Sequence, residues 1–297
     1  LAPSGTDCRS HGQSCRAGSL DASACTESLV RILAPNKMSE RLVYLILGSK
    51  GAGQDDVVSD LVDFGVADDL KPQVFVSEDD VSAWGVEPTI HHKQVGLNRY
   101  SWQGFEAGLA FEPTGDVVFV VADGLADPAD FVEAFFFWFQ ESGYEIGRVI
   151  TVADCDRISA DKRLLPWYDC CIHFSDIVLL SNRQTVSNKW IEEFKNRYAK
   201  EYYPCHFELV KKGRLANPSF TLEPQPRRIS KLFDEVDVSG GNGVDALAYL
   251  DDDVEIGGVE EEEPEEDDEE EFEGGDPSKD PFLARVAKAR RDRPLPD

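Results

Sequence analysis

The chain is 297 residues long, 41% hydrophobic and 10% aromatic, and carries a formal net charge of −27. The apolar share suffices for a buried core, and the negative charge excludes the basic footprint that nucleic-acid binding needs. No apolar run approaches the roughly 18 to 20 residues that cross a bilayer as a helix, so neither nucleic acid nor membrane is expected as a partner.

Residues 1–37 are rich in Ser, Ala, Gly and Cys, show no hydrophobic period and lack the continuous apolar stretch of a secretory signal. Met38, the sole methionine, reads as the start of the folded protein, with the preceding residues an unstructured or mis-assigned extension. A transit peptide is the rival reading, and Asp7, Asp21 and Glu27 count against it. Seven cysteines, an odd number at spacings that fit no disulfide scaffold, point to reduced thiols and a cytoplasmic protein.

An apolar strand is expected over Arg41–Leu47. Gly48 to Asp56 follow it as Gly-Ser-Lys-Gly-Ala-Gly-Gln-Asp-Asp, and a helix is expected over Asp55–Phe64. The glycine spacing fits G-x-x-x-x-G-K-[ST], but Gln54 holds the Lys position and Asp55 the Ser/Thr position. In a working loop, N–H groups at a helix N-terminus surround the phosphates, the Lys reaches the β and γ oxygens, and the hydroxyl holds magnesium. Here Asp55 and Asp56 put carboxylates where an anion docks, while favouring the helix start themselves.

Further strands are expected over Gln73–Ser77, Asp116–Ala122, Arg148–Ala153, Asp176–Ser181 and His206–Val210. Helices are expected over Ser101–Phe111, Pro128–Gln140, Leu165–Phe174 and Asn188–Tyr198. The strands are Val/Ile/Leu-rich and mostly continuous, which suits burial on both faces. Their alternation with helices predicts an α/β fold over residues 38–235, a doubly wound, mostly parallel sheet in three layers. Ligands in such folds sit at the carboxyl ends of the strands, where the glycine loop lies. Asp127 as N-cap and Pro128 at the first helical position mark one helix start. The Phe135-Phe136-Phe137-Trp138-Phe139 run in that helix is apolar all round and reads as core, with a homodimer or partner surface as the alternative.

Past about Arg228 the composition changes. A glycine-rich stretch, Ser239 to Gly243, leads into the acidic run Glu260–Glu273, and like charges at that density repel, so residues 236–280 read as a disordered acidic tail. The tail serves either as a solubilising brush or as a lure for a basic protein partner. Residues 281–297 read as a short basic amphipathic segment started by Asp280 and Pro281, with Phe282, Leu283 and Val286 as its apolar stripe. Such a helix either docks in a partner's groove or folds back on its own chain.

Four pieces resemble one family in its own order. Gly51-Ala52-Gly53 is similar to the G-A-G of a G-x-x-G-x-G-K-T-T loop, and Val149 to Asp154 to a V-x-T-V-V-D strand. Gly124-Leu125-Ala126-Asp127-Pro128 resembles the signature E-T-T-G-L-A-D-P, and Phe174 to Asn182 the strand ahead of the guanine-reading N-K-x-D. Together they resemble the CobW-like P-loop GTPases over about residues 41–210. The resemblance implies a P-loop fold, GTP with magnesium as ligand, and a metal-chaperone or NTPase activity. It makes Gly48, Gly51, Gly53, Gln54, Asp55, Asp123, Gly124 and Asn182 the nucleotide-binding set in vestigial form.

The departures fall on chemistry. Besides Gln54 and Asp55, Val121 replaces the acidic residue of the signature and Ala122-Asp123 its two threonines. Thr185 stands where an Asp would pair with guanine, and no cysteine lies between Cys25 and Cys155 to supply the family's C-x-C-C metal motif. Losing the Lys and the hydroxyl costs about 3–6 kcal/mol, or about two to four decades of affinity. The expectation is a degenerate (pseudo-)GTPase acting as an interaction scaffold, with no catalytic residue and no cofactor assigned. A working GTP- or NTP-binding metal chaperone or NTPase with a non-standard loop is the alternative. Cys170, Cys171 and His173 read as packing, the adjacent pair His91-His92 is poorly placed to chelate one ion, and Cys205 and His206 point to opposite faces of a strand.

Overall fold

A computed structural model describes residues 41–79, 84, 89–90, 93, 95–234 and 275–291, all within one compact unit, Glu40–Asp297. The proposed extension 1–37, His91 and His92, and residues 236–274 of the proposed tail lie outside the described residues.

Eight strands form one sheet: β1 (Leu42–Leu47), β2 (Pro72–Ser77), β3 (Thr89–Ile90), β4 (Val95–Tyr100), β5 (Val117–Val121), β6 (Glu145–Asp154), β7 (Ile177–Ser181) and β8 (His206–Leu209), in the order β3-β4-β2-β5-β1-β6-β7-β8. All neighbours run parallel except β3 and β4. The helices are α1 (Gln54–Phe64), α2 (Pro128–Ser142), α3 (Cys155–Ala160), α4 (Leu165–His173), α5 (Asn188–Ala199), α6 (Pro218–Leu222) and α7 (Pro281–Arg291). The expected α/β architecture, a doubly wound and mostly parallel sheet between helical layers, is the one found.

The central strands are buried on both faces because Val, Ile, Leu and aromatic residues dominate them. Val43, Leu45, Val118 and Val120 face α2 and α4, while Tyr44, Ile46, Phe119 and Val121 face α1 and α6. A third cluster packs α3, α4 and α5 on the outer half of the sheet around Tyr168 and Tyr198. Among the described residues no helix is long and apolar enough to cross a membrane.

Two local expectations fail. Ser101–Phe111 is not a helix: only Phe105–Ala107 makes a 3-10 turn, between Gly104 and Gly108, whose φ values of 98° and 67° are outside helical range. Trp102, Leu109 and Phe111 still pack on the core, so the apolar spacing that suggested a helix comes from a loop lying on it. Strand β4 was not expected. It is the last strand but one, flanked on its outer side only by the two-residue β3, and its sequence, Val-Gly-Leu-Asn-Arg-Tyr, is only partly buried and carries no apolar run.

The end of the chain corrects a third boundary. Asp280, assigned to the acidic tail, is fully buried. Its carboxylate lies 2.9 Å from His173 Nε2, accepts from Ser230 Oγ at 2.7 Å and caps α7 through the Phe282 N–H at 3.0 Å. Burial raises the Asp280 pKa, but the hydrogen bond and charge of His173 and the Ser230 hydroxyl outweigh it, and the pKa falls. Leu283 is buried with the α2 cluster, and Phe282 and Val286 pack beside it. The apolar stripe of α7 therefore rests on its own domain.

Candidate functional site

Strand β1 lies between β5 and β6, and the chain leaves it to one side for β2 and returns on the other through β6. The loop after β1 thus sits at the reversal point of the sheet, where a doubly wound fold has its crevice. Gly51 and Gly53 adopt positive φ, 78° and 93°, and Gly53 is the N-cap of α1 without a side-chain cap. Up to this point the geometry is that of a phosphate-binding loop.

The loop is tied back onto the protein. Gln54, buried, turns its amide back and donates from Nε2 to the Ser49 carbonyl at 2.9 Å. The Lys50 N–H donates to the Gly124 carbonyl at 3.1 Å, and the Ala52 N–H to the Ser49 carbonyl at 3.0 Å. Gly124 belongs to a segment pressed against the loop so closely that a Cβ there would lie 2.3 Å from the Lys50 nitrogen. No side chain fits at that position.

Asp55 stands at the start of α1. Burial raises its pKa most and the charge of Asp56 adds to this, while the N–H groups of Asp56 and of Asp55 itself pull it down; the net shift is upward. A carboxylate thus stands in the first turn of α1, where a phosphate-binding loop has a hydroxyl. The sign for stability follows. A carboxyl whose folded pKa exceeds its unfolded value destabilises the folded state once ionised, and the penalty vanishes below the unfolded pKa of about 3.9. Asp55→Asn is expected to raise the urea midpoint at pH 7, with the gain shrinking toward zero as pH falls through about 4. A gain that persists undiminished in acid would assign the effect to packing instead.

The other expected residues converge on the same crevice. Asp123, buried, accepts from Ser77 Oγ at 2.5 Å and from the Leu125 N–H at 2.9 Å, fixing the Gly124 segment. Asn182 (φ 41°) donates from Nδ2 to the Gly51 carbonyl at 3.2 Å and to Asp154 Oδ2 at 3.0 Å. Thr185, at the place of a guanine-pairing Asp, donates its hydroxyl to Asp156 Oδ1 at 2.7 Å. Gly48, Gly51, Gly53, Gln54, Asp55, Asp123, Gly124 and Asn182 thus lie around one crevice, bonded mostly to neighbouring residues such as Ser49, Lys50, Ser77 and Asp154.

Sequence reasoning missed four residues of this lock. Arg157 Nη1 donates to the Lys50 carbonyl at 2.5 Å and to Ser49 Oγ at 3.4 Å. The Tyr168 hydroxyl lies 2.8 Å from Ser49 Oγ and accepts from the Asp154 N–H at 3.2 Å. Burial pushes its phenol up to about 12. Ser181 Oγ donates to the Ala52 carbonyl at 2.5 Å. Asp154 and Ser181 pair in register at the carboxyl ends of β6 and β7, and that strand-end position was the available signal.

Beside the loop a cavity of about 610 Å³ opens between the ends of β7 and β8, lined by Asp56, Asn182, Arg183, Lys211 and Lys212 among others. Three of these side chains are cationic. Among the described residues the four cysteines are buried and free, and burial pushes Cys155 and Cys205 up to about 12 and raises Cys170 and Cys171 further. Among the described residues no group of three or more His, Cys, Asp or Glu side chains is placed to hold a metal ion.

No protein-family profile matches the sequence, and no curated protein does. Among solved structures the chain is similar to the Zn(II)-bound YjiA GTPase from E. coli, at 15% identity and a TM-score of 0.38, covering 63% of this chain and 66% of that one. It is also similar to a LAO/AO transport system kinase, at 12% identity and a TM-score of 0.35, covering 68% of this chain and 60% of that one. The chain spans less than two thirds of either protein's length. The fold class rests on the strand order and the loop, not on these likenesses.

Proposed function

We propose that this protein is a degenerate CobW-like P-loop domain that has lost nucleotide turnover and acts as an interaction scaffold. The observation that carries the reading is the Gln54 amide bonded back to the Ser49 carbonyl, with the Asp55 carboxylate in the first turn of α1. Gly124-Leu125-Ala126-Asp127-Pro128 and Asn182, in family order around the loop, support descent from a working GTPase. The order of the strands and the self-bonded crevice support a fold kept for its surfaces.

Calorimetry of GTP and ATP with Mg²⁺ against the full chain tests this. No binding tighter than about 10 μM is expected, and a tighter constant, about −7 kcal/mol or better, overturns the proposal. The full chain is required, because a fragment ending near residue 235 lacks Leu283 and Asp280, both buried against the domain. One observation favours the alternative of a nucleotide-dependent protein with a non-standard loop, namely the cationic cavity at Arg183, Lys211 and Lys212. On that reading binding appears in this titration and Lys211→Glu weakens it.

A further inference from the structure

Helix α7 brings Arg290 to the mouth of a groove. Arg290, near its end, bonds Glu133 Oε2 at 2.6 Å and Asp130, and its guanidinium lies 3.6 Å from the centre of the Phe105 ring. Phe105 in turn lines a cavity of about 800 Å³ between α2 and residues 104–113, with Leu109, Phe111, Phe137, Trp138 and Glu141. Phe137 is 51% exposed there although it belongs to the most aromatic stretch of the chain. Contiguous uncovered aromatic surface of this kind marks an interaction site.

The residues that follow, Asp292-Arg293-Pro294-Leu295-Pro296-Asp297, lie outside the described residues, and their sequence suits the groove. Pro-x-Pro favours the polyproline II helix, which aromatic-lined grooves bind because it is already ordered. The reach is sufficient: five residues beyond Arg291 extend about 16 Å at 3.1 Å each, while the α2 wall from Ala134 to Glu141 spans about 11 Å. We propose that the groove between α2 and residues 104–113 is a proline-peptide site and that its occupant is this chain's own Pro294-Leu295-Pro296 segment.

The test uses a fluorescent peptide of residues 287–297 and two proteins, the full chain and a chain ending at Arg291. By anisotropy the shortened chain is expected to capture the peptide. The full chain should bind about tenfold or more weakly, because its tethered segment competes at an effective concentration near millimolar. Leu295→Asp in the peptide, or Phe137→Ala in the shortened chain, is expected to remove capture; Phe137 is half exposed, so its loss leaves the core intact. Hydrogen exchange of residues 105–113 should also be slower in the full chain. Failure of the shortened chain to bind, equal binding by both chains, or unchanged exchange overturns the proposal. Dimerisation of the shortened chain alone would make a second copy the occupant and overturn it equally.

Discussion

A chain carrying Gln54→Lys and Asp55→Thr together is expected to bind GTP with Mg²⁺ about two to four decades more tightly than the parent, read by calorimetry at fixed salt. The estimate takes two restored charge-assisted contacts at about 1.5–3 kcal/mol each. The geometry says why both changes are needed. The Gln54 side chain is bonded back to the Ser49 carbonyl where a lysine would reach outward, and the Asp55 carboxylate in the first turn of α1 repels an incoming phosphate. Recovery should be partial, since the Lys50 N–H stays bonded to the Gly124 carbonyl and Val121 supplies no acidic group beside the loop. If the folded double variant binds no better than the parent, the substitutions are not what closed the site. The tight apposition of Gly124 and Lys50 would then be the cause.

The second large effect lies at the opposite end of the sheet. Asp176→Ala is expected to cost about 3–5 kcal/mol of folding free energy, measured by urea denaturation, because it strands buried cations. Asp176 is fully buried just before β7 and accepts four hydrogen bonds or ion-pair contacts of high quality. They come from the Val149 N–H at 2.8 Å, the Arg227 N–H at 2.6 Å, and Arg228 Nη1 at 3.1 and 3.2 Å from its two oxygens. Arg148, buried nearby, bonds the Glu223 carbonyl through Nε while its Nη1 and Nη2 find no partner among the described residues. Burial lowers the Arg148 pKa and the Asp176 charge opposes the shift, so both arginines depend on one carboxylate. Arg228 retains Asp234 at 2.6 Å, which keeps the expected loss from exceeding this range. A loss below about 1 kcal/mol would place the site among ordinary solvated pairs.

How far the sequence could be read depended on whether the deciding contacts were local. Strands β1, β5, β6 and β7 are runs of Val, Ile and Leu, and burial on both faces follows from composition alone. The capped start of α2 was equally legible, since Asp127 bonds the Ala129 N–H two residues on. Strand β4 was not legible, because its place beside the two-residue β3 leaves Asn98 and Arg99 half-exposed or exposed and hides the pattern. At the site, the replaced residues Gln54 and Asp55 could be read as departures. Where their side chains go could not, since the lock uses Arg157, Tyr168 and Ser181, each more than 100 residues from the loop. The stripe of α7 was likewise visible, but amphipathicity does not name the surface that receives it.

The last element of this fold also sets its own terms of assembly. The Gly275 N–H donates to the Lys231 carbonyl at 3.2 Å, so the chain returns after an excursion to within one hydrogen bond of where it left. The excursion, residues 235–274, contains 19 of the 57 acidic residues and no Lys or Arg. Closing such an excursion costs entropy that grows only with the logarithm of its length, about 0.6 kcal/mol per doubling. Evolution is therefore free to lengthen or shorten this charged stretch with almost no consequence for the docking of α7. The His173–Asp280 contact and Leu283 hold the end of the chain in register whatever that length is.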